Sequence, residues 1–204
     1  VQVDNVTPAE NIFNDHYAYF SSFSDSWLAH CERYADKMIG RLSLGPHSQV
    51  VEIASNDGYL LQVFARRGIS AFGIEATANV AEAARAKGIP TEIAFFNRAT
   101  ADRLAAKGKR ADLLAAKNVL AHVPDINDFV AGIPILLKPK GVFTVEFPHL
   151  LNLIRETQFD TIYHEHFTYL SLLAVETIFA RHRLAIFDVE RLPTHGGSVG
   201  LFGA

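Results

Sequence analysis

Residues 161–170 read TIYHEHFTYL, which gathers Tyr163, His164, Glu165, His166 and Tyr169 into one short stretch. Such a density of titratable groups costs folding energy unless the groups are paired or used. A histidine poised near neutrality can take a proton from a hydroxyl or from a carbon beside a carbonyl. A tyrosine or second histidine can donate to the oxyanion that then forms. Two other uses compete with catalysis. His164 and His166 share a face if the segment is extended, as a metal site would need, but Glu165 then points away and no third ligand is obvious. Polar groups also satisfy the backbone of buried loops. Catalysis is the expectation, and no metal ligand is assigned. His122 in AKNVLAHVPD and His149 in VEFPHLL each follow a strand-like apolar run. His122, Tyr163, Glu165 and His166 can therefore converge on one sheet edge.

A second constellation lies earlier. The run VVEIASNDGYLL (50–61) reads as a strand and a polar turn, and the turn after the first strand of an open α/β sheet binds ligands. A diphosphate wants the glycines of G-x-G-x-x-G, whereas here Ser55, Asn56 and Asp57 precede a lone Gly58. This acidic turn suits a ligand with an amine, hydroxyls and a sulfonium, a description that S-adenosylmethionine meets. Glu75 closes the next strand about 20 residues on, where its carboxylate can accept both ribose hydroxyls. Phe95 and Phe96 either flank an adenine or pack in the core, and Asn97 can hydrogen-bond the base. Glu52, Ala76 and Asn118 complete the expected cofactor set of Glu52, Ser55, Asn56, Asp57, Gly58, Glu75, Ala76, Phe96, Asn97 and Asn118.

These residues need a scaffold, and the apolar periodicity supplies one. Trp27, Cys31, Tyr34, Ala35, Met38 and Leu42 recur at helical spacing over 26–42, behind serines able to cap the start. Strand-like runs at 49–54, 71–75, 91–96, 111–117 and 141–147 alternate with helical segments near 59–67, 77–87, 98–107 and 126–137. Apolar strands separated by helices predict a parallel sheet covered on both faces. After a helix over 171–182, the runs LAIFDVERL (184–192) and SVGLFG (198–203) are joined by PTHGG alone, too short for a parallel crossover. An antiparallel hairpin must close the sheet. The expected fold is α/β, a Rossmann-like, class I methyltransferase sheet of seven strands, parallel with a C-terminal antiparallel hairpin. Residues 1–45 are expected to form a helical segment over the active site and 46–204 the S-adenosylmethionine-binding domain.

With 204 residues, 19 Lys and Arg against 22 Asp and Glu, and neither charge in a run, the chain builds no phosphate-tracking face, so nucleic acid is not an expected partner. No stretch is long and apolar enough to span a membrane, the start lacks a signal-peptide pattern, and the lone Cys31 forms no internal disulfide. A cytoplasmic protein acting on a small molecule is expected, of unassigned oligomeric state.

The stretches HYAYFSSFSDSW (16–27), VVEIASNDGYLLQ (50–62), KNVLAHVPD (117–125), LKPKGVFTVEFPHL (137–150), FDTIYHEHFTYLS (159–171) and THGGS (194–198) resemble, in order, S-adenosylmethionine-dependent sugar C-methyltransferases. That family methylates C3 of nucleotide-linked 4-keto deoxysugars. The resemblance implies His166 as the base that deprotonates the carbon beside the ketone, with Glu165 and Tyr163 orienting it or the sugar. It places His122 across the reacting centre and Tyr17 over the site. The family's cysteine-bound zinc segment and its further C-terminal domain have no counterpart here, and Val199-Gly200 follows THGGS where the family has Leu-Arg. The expectation is therefore a methyltransferase core. Alternatives are an O- or N-methyltransferase of another small molecule, or a cofactor-binding module without turnover.

Overall fold

The computed structural model describes residues 1–3, 8–14 and 17–204; His16 of the HYAYFSS stretch lies outside the described residues. Helices α1 (Ala9–Ile12) and α2 (Asp25–Leu42) come first. They precede the alternation β1 (Gln49–Ile53), α3 (Leu61–Arg66), β2 (Ser70–Glu75), α4 (Ala78–Ala86), β3 (Thr91–Ile93), α5 (Arg98–Ala106), β4 (Ala111–Lys117), α6 (Ile126–Leu136) and β5 (Leu137–Pro148). Then follow α7 (Leu150–Arg155), α8 (Leu172–Arg181), β6 (Ile186–Leu192) and β7 (Ser198–Gly203). The strands form one sheet in the order β3-β2-β1-β4-β5-β7-β6. The first five are parallel, and β7 lies antiparallel between β5 and β6.

The alternation of side chains along each strand divides the core into two layers. Val51 and Ile53 of β1, Leu114 and Ala116 of β4 and Phe143, Val145 and Phe147 of β5 pack with α5, α6 and α8. Their neighbours Val50, Leu113 and Ala115 face α2 and α3, where Cys31, Ala35 and Met38 lie buried as the periodicity of 26–42 requires. This second face is polar towards its carboxyl end, because Glu52, Lys117 and Glu146 occupy the same side and are buried. The helices start where their caps allow. Ser24 accepts from the Trp27 amide, Asn97 from that of Thr100, and Asp125 from those of Asn127 and Asp128.

Three elements depart from the sequence expectation. Strand β3 stops at Ile93 instead of Phe96. Phe96 turns under α6, edge-on to Phe129, into space that exists because Gly132 has no Cβ; one there would sit 2.8 Å from the ring. Strand β5 begins at Leu137 instead of Gly141, because Leu137 already pairs with Ala111 before a bulge resets the register at Leu113 and Val142. Helix α7 has no sequence signature, since none of its residues is buried and no apolar period marks it. No helix among the described residues is long and apolar enough to cross a membrane.

Candidate active site

Above the carboxyl ends of β1, β2, β4 and β5 lies a cavity of about 1520 Å³, lined by the loops that follow those strands and by parts of 9–27. One ligand pocket of ordinary size takes about 300–1,000 Å³, so this cavity has room for two small molecules side by side. One end is bounded by Ile53, Ile74, Glu75, Ala76, Phe95, Phe96 and Asn97. Glu75 is buried, and its two oxygens accept the backbone N–H groups of Asn56 and Thr77, both at 2.9 Å. A carboxylate has about four lone-pair sites, so acceptor capacity remains on both oxygens. Burial raises its pKa, and the Thr77 and Asn56 amides offset part of that rise.

The turn 54–58 reaches its shape through left-handed backbone at Ala54, Asn56 and Gly58, with φ of 55°, 49° and 77°. Asn56 lines the cavity, but both ends of its amide are engaged: Oδ1 accepts from the Ser21 amide at 2.8 Å and Nδ2 donates to the Tyr19 carbonyl at 3.1 Å. Asn79 holds the Tyr17 carbonyl at 2.9 Å, and Lys87 Nζ reaches Ser22 Oγ at 2.9 Å and Asp57 Oδ2 at 2.8 Å. Residues 17–22 thus form a strap laced to the turn and to α4. Four residues of the expected cofactor set lie elsewhere. Asp57 turns away to Lys87, Ser55 packs against Gly73, Gly58 lies on Ala84 and Ile89, and Glu52 points into the α2 layer, so none of the four lines the cavity. Asn97 does line it, but its carbonyl is occupied as the cap of α5.

At the other end the reactive wall is assembled from distant segments. His166 is buried, with Nδ1 2.8 Å from the Thr161 carbonyl and Nε2 3.1 Å from the Tyr163 hydroxyl. A carbonyl only accepts, so Nδ1 carries the hydrogen and Nε2 presents its lone pair to the Tyr163 O–H. His122 is fixed likewise, its Nδ1–H on the Glu165 carbonyl at 3.0 Å and its ring 4.7 Å from that of His166. Burial, reinforced by His166, depresses the His122 pKa to about 4, and burial lowers that of His166 too. Both rings are neutral at pH 7. Burial raises the Tyr163 and Tyr17 hydroxyls, and the nearby Glu165 carboxylate pushes both further, so both remain donors. Glu165 therefore fixes His122 through its backbone, while its side chain acts on the tyrosines and on His166 through charge. His164 is exposed, edge-on to Tyr163, and does not line the cavity.

The opposite wall was not read from the sequence. Glu146 on β5 is directly paired with Lys117 on β4, and its carboxylate binds Lys117 Nζ at 2.6 Å, His30 Nε2 at 3.0 Å and the Thr194 hydroxyl at 2.7 Å. Burial alone would raise Glu146, but Lys117 and His30 outweigh it and hold its pKa at about 2. The Glu146 carbonyl also takes the Asn118 amide at 2.7 Å. This buried hub carries the cavity-lining residues Trp27, Asn118 and His195, with Trp27 stacked on His30 and edge-on to His195. The signal for it was a charged residue inside otherwise apolar strands, in ADLLAAK and GVFTVEF. Glu52 carries the same signal: it is fully buried beside the Tyr59 hydroxyl, and burial raises its pKa far above the ordinary value despite Tyr59 and Lys117.

A parallel sheet in this order, closed by an antiparallel strand and bearing its cavity at the carboxyl edge, defines the Rossmann-like fold of class I methyltransferases. The family model described as a methyltransferase domain matches residues 27–187, and the chain belongs to that family. Among curated proteins it is 36% identical over 189 residues to C-methyltransferase NovU of Streptomyces niveus, covering 93% of this chain and 45% of that protein. It is 33% identical over 98 residues to a ubiquinone biosynthesis O-methyltransferase of Chelativorans sp., covering 48% of this chain and 39% of the relative. The chain thus spans less than half the length of these two relatives. Among solved structures, magnesium protoporphyrin IX methyltransferase of Synechocystis, with bound SAH, matches with a TM-score of 0.64 at 14% identity over 86% of this chain and 82% of that one, a likeness of fold.

The cofactor of this fold and family is S-adenosylmethionine, and the residues present fit it. Glu75 has acceptor capacity for vicinal hydroxyls, Phe95, Phe96 and Ile74 offer an apolar cleft, and the buried Asn118 Oδ1 has no partner among the described residues.

Proposed function

We propose that the chain is the core of an S-adenosylmethionine-dependent C-methyltransferase that methylates the carbon beside a ketone, on a nucleotide-linked deoxysugar. The observation that carries this reading is His166, held neutral with a lone pair on Nε2 at the cavity wall, flanked by Tyr163 and His122. The similarity to NovU, a C-methyltransferase, supports the same chemistry.

S-adenosylmethionine supplies an electrophilic methyl group on its sulfonium. Glu75 would accept the ribose hydroxyls, Phe95 and Phe96 would flank the base, and Asn118 would hold the polar tail. With the Tyr163 O–H turned from His166 Nε2 towards the substrate, Nε2 takes the proton from the substrate carbon, and the Thr161 carbonyl and the Glu165 charge favour the imidazolium that results. The electron pair left on carbon delocalises onto the ketone oxygen, which the Tyr17 or Tyr163 hydroxyl can meet. His122 does not serve as that donor, because its only hydrogen in the neutral state is spent on Glu165. Residues 9–14 and 17–24, with α2 behind them, cover the site. The lone buried cysteine suits the reducing cytoplasm as the place of action.

Transfer to oxygen is the second reading, favoured by the O-methyltransferases that match about half the chain. Deuterium exchange separates the two. In D2O without methyl donor, thymidine diphosphate 4-keto-6-deoxyglucose exchanges the hydrogen on the carbon beside its ketone when the protein is added, and the His166→Asn variant abolishes that exchange. Absence of exchange with the parent protein sinks the carbon reading.

A further inference from the structure

The THGGS motif has no part in the chemistry above, yet the fold brings its histidine to the cavity. Resting on the C-methyltransferase reading, we propose that His195 is a further catalytic residue, the hydrogen-bond donor to the ketone oxygen on which charge develops when His166 removes the proton.

The tautomer of His195 is set from the protein side. Asn118 Nδ2 lies 3.3 Å from His195 Nδ1, and an amide NH2 only donates, so Nδ1 is the acceptor and the ring hydrogen sits on Nε2. Among the described residues no side chain or carbonyl takes that Nε2–H, and the ring is exposed to the cavity that it helps line. His195 is thus the mirror of His122. One neutral imidazole faces the cavity with a lone pair, the other with a hydrogen. Partial desolvation by the cavity walls lowers its pKa, with Glu146 opposing the fall and His30 and His166 adding to it, which favours the neutral ring. A neutral imidazole is a well-matched electrophile for an enolate, because donor and oxyanion then differ less in proton affinity than an imidazolium would.

Placement of His195 is built, not incidental. Its backbone is left-handed, at φ 49° and ψ 46°, a conformation that costs a branched or bulky residue about 1–2 kcal/mol. The neighbouring Thr194 is anchored on Glu146, Gly196 and Gly197 accept from Gln158 and Asn152, and Trp27 meets the ring edge-on at 5.3 Å between centroids. Strain of this kind persists where the surrounding structure over-determines it, and it clusters at functional sites.

In the step assigned to His195, the C–H bond beside the ketone breaks and its proton goes to His166 Nε2. The electron pair forms the C=C bond while the carbonyl π pair moves to oxygen, and that oxygen accepts from His195 Nε2–H. Methylation of the carbon would then break the S–CH3 bond of S-adenosylmethionine, release S-adenosylhomocysteine and restore the ketone, leaving His195 unchanged and the proton on His166 to pass to solvent.

The test pairs His195→Phe, which removes the donor, with His195→Gln, whose amide NH2 approximates the position of Nε2–H. Three quantities are read for each: the rate of deuterium exchange into thymidine diphosphate 4-keto-6-deoxyglucose, the Kd for S-adenosylhomocysteine by calorimetry, and the melting temperature. Loss of one oxyanion donor slows exchange by about 10²–10³-fold in the Phe variant, with substantial recovery in the Gln variant and cofactor affinity unchanged. Exchange at the parent rate in His195→Phe overturns the proposal and leaves the C-methyltransferase reading standing. A parallel loss of cofactor affinity or folding in both variants also overturns it, because His195 is then a packing or cofactor residue. No exchange in the parent protein defeats the reading itself, and the proposal with it.

Discussion

At the scale of single residues, the site works through which nitrogen carries a hydrogen. His166 and His122 both spend Nδ1–H on carbonyls, so each offers a lone pair at Nε2. His166 acts as a base only when neutral, and its pKa lies below the ordinary 6.5, so lowering the pH protonates it later than a free histidine. The acid limb of kcat/KM for methyl transfer is accordingly expected to reach half-height below pH 6.5. A limb centred at pH 7 or above contradicts the assignment. Substituting His166 by Asn is expected to lower kcat by about 10²–10⁴-fold with the fold intact, measured as methyl transfer beside circular dichroism. The identity of these residues was legible in TIYHEHFTYL, because titratable density is a sequence property. Their division of labour was not. Glu165 orients His122 through a carbonyl, and every residue has one, so no residue type announces that role.

At the scale of elements, apolar periodicity predicted most strands and helices to within a residue or two, β3 and β5 excepted, since burial on both faces of a parallel sheet leaves few alternatives. What it did not show depends on register and on long-range hydrogen bonds. Lys117 and Glu146 are both visible as charges in apolar runs, but their pairing follows from the β4–β5 register after a bulge. Asn56 was read as a cofactor ligand because of its loop, whereas its side chain ties down the strap at Tyr19 and Ser21. Replacing Asn56 by Gly keeps the left-handed backbone available and removes both bonds. At roughly 1 kcal/mol for each, the strap opens about 10- to 30-fold more often, and chymotrypsin cleavage after Tyr19, Phe20 or Phe23 should accelerate by that factor. Unchanged cleavage means that the strap is held by other contacts.

For the whole molecule, the Glu146 hub joins α2, β4, β5 and the loop before β7. Glu146→Gln leaves the Lys117 ammonium buried, its side chain only 4% exposed, without a counter-charge. A cost of about 3–5 kcal/mol is expected, seen as a fall of about 10 °C in melting temperature, and the double variant Lys117→Met/Glu146→Gln should recover much of it. S-adenosylhomocysteine at 100-fold over its Kd should contribute about 2.7 kcal/mol and raise the melting temperature by about 5–10 °C. No shift on adding it would contradict a formed cofactor site.

The central place of β7 has a kinetic consequence. It comes later in sequence than both its neighbours, so until it inserts, β5 and β6 each present an unpaired edge. The pairing with β6 is a local hairpin, but the one with β5 joins Pro148 to Ser198 across a long stretch of chain, and such contacts form more slowly. During synthesis the first five strands can settle while the loop carrying Thr194 and His195 is still unanchored, and Glu146 waits with one oxygen unbound. Cofactor-binding competence should therefore precede catalytic competence on the refolding pathway, and the interval between them is the window in which the open edges invite aggregation.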